Sequence, residues 1–240
     1  MKKVALNVIS HNYCNYKDFS FSKRKKFLSS LADMYIKVFG VEPWNEGYVC
    51  EKCGKLFSLE EINLNCCWKI RLYYDSNELI KGFLSWFKKD SFVGIILEDT
   101  EKKIGDVLNL FVGFCIWWGT SINKLNDEKL KLLDSDLSLL VNNIRKLYPD
   151  FDLSNFFYLA DMWLIKEYKW KGLASKLFKR REEEILKNWY RYVLVRTTRK
   201  SDVPFKWYKD KLWFKLVFKY NDQQDRVILV KKLSTNEKSS

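Results

Sequence analysis

Two stretches of this 240-residue chain combine side chains that could do chemistry. The first runs from Leu164 to Ser175: a strand pattern ends near Ile165, a basic loop carrying Lys169, Trp170, Lys171 and Gly172 follows, and a helical pattern begins at Leu173. The first N–H groups of a helix have no intrahelical partner and lie at the positive end of its dipole, so such a turn can hold a pyrophosphate. Gly172 and the small Ala174 let phosphate oxygens approach the backbone, and Lys169 and Lys171 add positive charge. The same residues also suit an ordinary strand-to-helix connection with a solvated basic face.

The second stretch holds four of the six cysteines. Cys50-Glu51-Lys52-Cys53-Gly54 is a knuckle in which a tight turn places two thiolates at adjacent corners of a tetrahedron, and Cys66 and Cys67 follow at a ribbon-like distance. The expected ligand set for zinc is Cys50, Cys53, Cys66 and Cys67. Cys66 and Cys67 are adjacent, which makes binding of one ion by both unusual, so Cys14, His11 or Asp75 stand as substitutes for the fourth position. Four thiolates leave no open coordination site, so the metal would be structural. A redox Cys-x-x-Cys pair is disfavoured by the following Gly-Lys-Leu-Phe, a disulfide framework by chain size, and Cys115 reads as core.

Lys169-Trp170-Lys171-Gly172-Leu173-Ala174 resembles the signature of the GNAT acetyltransferases: Arg or Gln, two residues, Gly, one residue, then Gly or Ala, placed after the central strand. Lys169 departs from the first position of that pattern. Phe39 to Glu46 is similar to the segment after the first helix in a subset of these enzymes, and Tyr192 to Thr198 to the strand that splays from the central one. Trp207 to Phe214 resembles their Leu-Tyr-x-Lys-Leu-Gly-Phe. The likeness covers most of residues 27 to 233, apart from an insert at 48–75 and a helical region at 120–150.

The resemblance implies an α/β GNAT fold, with a mixed, centrally splayed sheet flanked by helices, and direct attack of a primary amine on the thioester of acetyl-CoA. Met162, Trp163 and Leu164 would offer backbone groups to the pantetheine arm, and Lys169 to Ser175 would bind the pyrophosphate. Tyr208 is the expected general acid toward the departing thiolate. From Tyr208 to Phe214 there are six steps where the family has five, and Trp213 stands where it has glycine. One extra helical residue turns a side chain by about 100°. Asp161 ranks first as base, ahead of Glu46 and Glu167. The acceptor could be a small molecule or a peptide.

The elements that must position these residues follow from periodicity. Apolar residues at three- and four-residue spacing predict helices over Arg24–Phe39, Asn77–Lys89, Asn123–Tyr148, Leu173–Trp189 and Val203–Leu212. Runs of β-branched and aromatic residues predict strands at Ser91–Leu97, Leu108–Trp118, Phe156–Ile165, Tyr192–Thr197, Phe214–Tyr220 and Arg226–Leu233, before a loose polar tail at 234–240.

Hydrophobic residues make up 47% of the chain and charged ones 30%, which excludes a disordered chain and fits one main domain over 1–240. The apolar run from Val107 to Trp118 falls short of the ~20 residues of a membrane span. The short apolar start is not a signal peptide, which leaves a cytoplasmic location as the expectation. The net charge of +13 favours anionic partners. Its alternative reading is a non-enzymatic nucleic-acid-binding protein built on a zinc ribbon. That is disfavoured because the Cys insert mixes Lys52, Lys55 and Lys69 with Glu51, Glu60 and Glu61.

Overall fold

The computed structural model describes residues 6–12, 20–41, 45–61, 66, 69–89, 91–104, 108–169, 171–200, 202–222 and 225–234. Seven strands among them form a mixed sheet in the order β1-β5-β6-β7-β8-β10-β9. These are β1 (Leu6–Asn12), β5 (Val93–Ile104), β6 (Leu108–Thr120), β7 (Phe156–Leu164), β8 (Tyr192–Thr198), β9 (Lys215–Lys219) and β10 (Arg226–Lys232). β1 pairs antiparallel with β5, β7 parallel with β8, and β10 antiparallel with both β8 and β9. The strand at β1 has no counterpart in the periodicity reading, because its apolar run is short and broken by Asn7.

The chain divides into two compact units. The first comprises Met1–Cys115 and Met162–Leu177, the second Ile116–Asp161 and Phe178–Ser240. In the first unit, α1 (Phe21–Phe39) starts where Ser20 Oγ accepts from the Lys23 N–H at 3.3 Å. It buries Phe27, Leu28, Leu31 and Met34. α2 (Ser76–Phe87) starts where Asp75 accepts from the Glu78 N–H at 2.9 Å. The two helices meet through aromatic rings, Tyr35 on Phe83 at 5.7 Å and Phe27 on Phe87 at 6.5 Å. Between them lies a small sheet, ordered β3-β2-β4, of Leu56–Phe57, Tyr48–Cys50 and Ile70–Leu72.

In the second unit, the single helix predicted over 123–148 is broken. α3 (Ile122–Leu125) passes into a π-helical turn at Asn126–Leu130, and α4 (Asp134–Leu147) starts afresh. Asn126 causes the break: its side-chain amide donates to Leu132 O at 3.1 Å and accepts from Leu132 N–H at 2.8 Å, tying off the backbone, while Lys131 turns left-handed at φ 55°. Leucine spacing cannot register a side chain that competes for backbone groups. α4 carries Asp134 and Asp136 in its first turn and Arg145 and Lys146 in its last, in the sense its dipole favours. It is tied to β9 by Asn143, which donates to Val217 O at 2.9 Å.

Candidate active site and cysteine cluster

In the first unit, β7 ends at Leu164 and a single 3₁₀ turn, Lys166–Tyr168, leads into α5 (Leu173–Lys187). Gly172, at φ 71°, immediately precedes the helix and its carbonyl accepts from Lys176 N–H at 3.2 Å. Left-handed φ is what glycine tolerates without steric cost. Lys169, Lys171, Gly172 and Ser175 are exposed, Ala174 is half-buried and Leu173 is buried, so the start of α5 faces solvent with its side chains held beneath. Trp170 lies outside the described residues.

The turn is anchored by a tyrosine. Tyr168 is buried and its hydroxyl donates a short hydrogen bond to Asp99, a carboxylate on β5 that is 1% exposed. Lys102 donates to the same hydroxyl at 3.0 Å, and Lys171 lies 4.9 Å from the ring centroid. Burial, then the bond to Asp99, pushes the Tyr168 phenol up, while its hydroxyl raises Lys102. Backbone bonds from Tyr168 N–H to Ile165 O and Lys169 N–H to Lys166 O close the turn. Periodicity gives no signal for this contact, because Asp99 and Tyr168 are 69 residues apart.

In the second unit, β7 and β8 pair only from Phe157↔Val193 to Leu159↔Val195, yet β7 continues to Leu164 and β8 to Thr198. Asp161 lies past the last pair. It is half-buried, and desolvation pushes its carboxyl up, against the opposing pull of Lys129 and Arg196. Met162, next in the chain, is half-buried, and Trp163 and Leu164 are buried. Glu167 is exposed, and Glu46 accepts a short hydrogen bond from Tyr74.

Tyr208 lies in a π-helical turn, Trp207–Lys211, that follows α6 (Asp202–Lys206). A π turn is an α-helix carrying one additional residue. Leu212 N–H donates to Trp207 O at 3.1 Å and Phe214 N–H to Tyr208 O at 3.0 Å, with Trp213 left-handed at φ 61°. The Tyr208 ring is buried against Trp207 and Phe214, both at 5.2 Å.

No sequence-family model matches the chain, and no curated protein matches it in sequence. Solved structures do. NAA60 of Arabidopsis thaliana in complex with acetyl-CoA is 13% identical with TM-score 0.53, covering 95% of this chain and 99% of that one. A mosquito arylalkylamine N-acetyltransferase-like protein, 5b, is 14% identical with TM-score 0.54, covering 95% and 100%. A GNAT-family acetyltransferase from Streptococcus pneumoniae is 11% identical with TM-score 0.50, covering 96% and 100%. The fold is that of the GNAT acetyltransferases. The end of β7 beyond its pairing with β8 and the turn before α5 are adjoining parts of one strand–turn–helix.

The cysteine cluster lies in the first unit, with Cys50 at the end of β2, Cys53 in the turn that follows and Cys66 before β4. Cys50, Cys53 and Cys66 bring their sulfurs within 4.8 Å of one another, with Cys53 and Cys66 3.2 Å apart. Thiolates around tetrahedral zinc, at about 2.3 Å from the metal, would stand about 3.8 Å apart, so the three positions fit the ion. The knuckle is closed by Gly54 N–H to Cys50 O and Cys50 N–H to Lys55 O, both 3.0 Å, with Gly54 at φ 71°. The backbone amides of Cys53 and Lys52 point at the Cys50 sulfur, and the Cys53 amide is the first cause of a thiol lowered to about 6. Cys67 and Cys14, and the His11 side chain, lie outside the described residues. Asp75 is outside the cluster, and one of its two carboxylate oxygens, Oδ1, caps α2.

Among the described residues, no helix is long and apolar enough to cross a membrane.

Proposed function

We propose that this chain is an acetyl-CoA-dependent N-acetyltransferase acting on a primary amine of a small molecule or peptide. The observation that carries the reading is the solvent-facing start of α5, opened by a left-handed Gly172 at the end of the turn that follows β7 of a GNAT fold. The free amides of Leu173 to Ser175 hold the pyrophosphate, with Lys169 and Lys171 beside them. The edge of β7 from Met162 to Leu164 offers backbone groups to the pantetheine arm. Asp161 takes a proton from the amine, directly or through water, and the Tyr208 hydroxyl supplies one to the departing thiolate. Bound acetyl-CoA supplies the activated thioester; the chain supplies orientation and proton paths.

A structural zinc ion held by Cys50, Cys53 and Cys66, with Cys67 as fourth ligand, completes the proposal. One experiment tests both parts: thermal unfolding and thiol release with acetyl-CoA against a panel of amines, before and after a zinc chelator. Stabilisation by acetyl-CoA but not adenosine, together with amine-dependent thiol release, is expected. The transfer reading fails if acetyl-CoA leaves the midpoint unmoved, and the metal reading fails if the chelator does. The nucleic-acid alternative predicts instead a steeply salt-dependent affinity for single strands.

A further inference from the structure

Beside the small cysteine-bearing sheet, where β4 gives way to α2, the first unit has a cavity of about 300 Å³. Its lining includes Tyr73, Tyr74, Trp86, Asp75, Glu78 and Gly82. We propose that this recess binds an alkylammonium group, the side chain of a lysine on a peptide. The proposal does not depend on acetyl transfer and concerns residues that take no part in it.

The aromatic walls are set in place by their neighbours. Tyr73 and Tyr74 stand nearly perpendicular, at 89° with centroids 4.8 Å apart. Tyr74 is backed edge-on by Tyr35 at 5.3 Å and tethered through its hydroxyl to Glu46. Trp86 packs edge-on against Phe83 at 5.3 Å. Ring faces attract cations through their quadrupole, and an ammonium on a methylene stem satisfies both the rings and the apolar wall supplied by Leu79.

Gly82 keeps the space open. It lies inside α2, where glycine is a poor helix former, and a Cβ added there would meet nothing within 4 Å. Neither packing nor backbone conformation therefore demands glycine at this position, and its lack of a side chain leaves open space along the lining.

Charge selects the ligand. In a chain of net charge +13, this lining holds two carboxylates against one cation, Arg71. Arg71 is turned toward Glu51, 3.6 Å away, and donates to Leu72 O at 3.0 Å. Lys81 bonds Glu78 at 2.6 Å from outside the lining and leaves Asp75 for the ligand. The exposed Tyr73 and Asp75 put the opening at the surface, so the cation arrives on a stem from outside.

The test is calorimetric titration of the zinc-loaded chain, without acetyl-CoA, with a hexapeptide carrying one central lysine, its norleucine counterpart and free 1,5-diaminopentane. The lysine peptide is expected to bind at least about tenfold more tightly than the norleucine peptide, and less tightly in high salt. Gly82→Leu should weaken the lysine peptide by about tenfold or more while the unfolding midpoint rises, because leucine is the better helix former. Asp75→Asn, which keeps the helix cap, should weaken it several-fold. Equal binding of lysine and norleucine peptides overturns the proposal, as does Gly82→Leu behaving as wild type, which would place the peptide elsewhere. Diamine binding as tight as the peptide's overturns the peptide assignment.

Discussion

Gly172 and Trp213 occupy the same left-handed region of backbone space, at φ 71° and 61°, in two turns that the GNAT resemblance singles out. One is glycine and the other the bulkiest residue there is. At Gly172 a Cβ would meet nothing within 4 Å, so the turn itself sets the demand for glycine. Trp213 is 68% exposed, and its ring gains little from burial. It is held there by Tyr208 and Phe214 on either side, whose buried rings and the 3.0 Å bond from Phe214 N–H to Tyr208 O fix the chain around it. The first turn is shaped to bind with its backbone. The second stores strain to keep its aromatic neighbours in register.

Four substitutions sharpen or break that contrast. The largest effect belongs to Tyr208→Phe. It keeps the aromatic packing and removes only the hydroxyl, so kcat should fall by about 10³-fold with an unchanged melting temperature. An unchanged kcat would reduce the second turn to a purely structural role.

Asp161→Asn comes next, with a loss of about 10²-fold in kcat. Burial raises this carboxyl above its ordinary range, and as a base it works only when ionised. The rate should therefore fall as pH drops through that raised value, and the substitution should flatten this limb. A folded-state pKa above the unfolded one means stability is lost as pH rises through it. Asp161→Asn should then stabilise the fold at neutral pH while it slows the reaction, a pairing visible by thermal unfolding beside steady-state rates.

Gly172→Val places a β-branched residue at positive φ in the binding turn. It should weaken acetyl-CoA by about tenfold and cost about 1–2 kcal/mol of stability; acetyl-CoA titrations that match wild type would refute the role given to that backbone. The smallest change, Trp213→Gly, should gain about 1 kcal/mol by relieving the left-handed tryptophan, less what glycine's freedom in the unfolded chain takes back. For a chain of this size that is a rise of roughly 2–4 °C, with kcat unaltered.

Much of the scaffold was legible locally. The apolar spacing over Leu173–Lys187 and the β-branched run Tyr192–Thr198 identify α5 and β8 because side-chain period follows directly from backbone geometry. The Lys169–Ala174 motif is likewise local, since a helix start needs only neighbouring residues to expose its amides. The cysteine knuckle could be read in the same way, its turn being closed within Cys50–Lys55.

Other features had no local trace. The broken helix at Asn126–Leu130 depends on one amide reaching Leu132, and the π turn at Trp207–Lys211 on how the chain makes room for an extra residue. Arg181 stands on the buried stripe of α5 with Leu177, Phe178 and Ile185, where its spacing calls for an apolar residue. Its guanidinium nitrogens are buried without a hydrogen-bond partner among the described residues, and the group lies 4.9 Å from the Phe178 ring centroid and 5.9 Å from that of Trp117. The sequence by itself determined periodicity, the glycine-led helix start and the thiol spacing, all consequences of backbone geometry over a few residues. Only the tertiary structure decided that Asp99 anchors Tyr168 and that Asp161 is desolvated. Those depend on groups far apart in the chain, and only folding brings them within reach of one another.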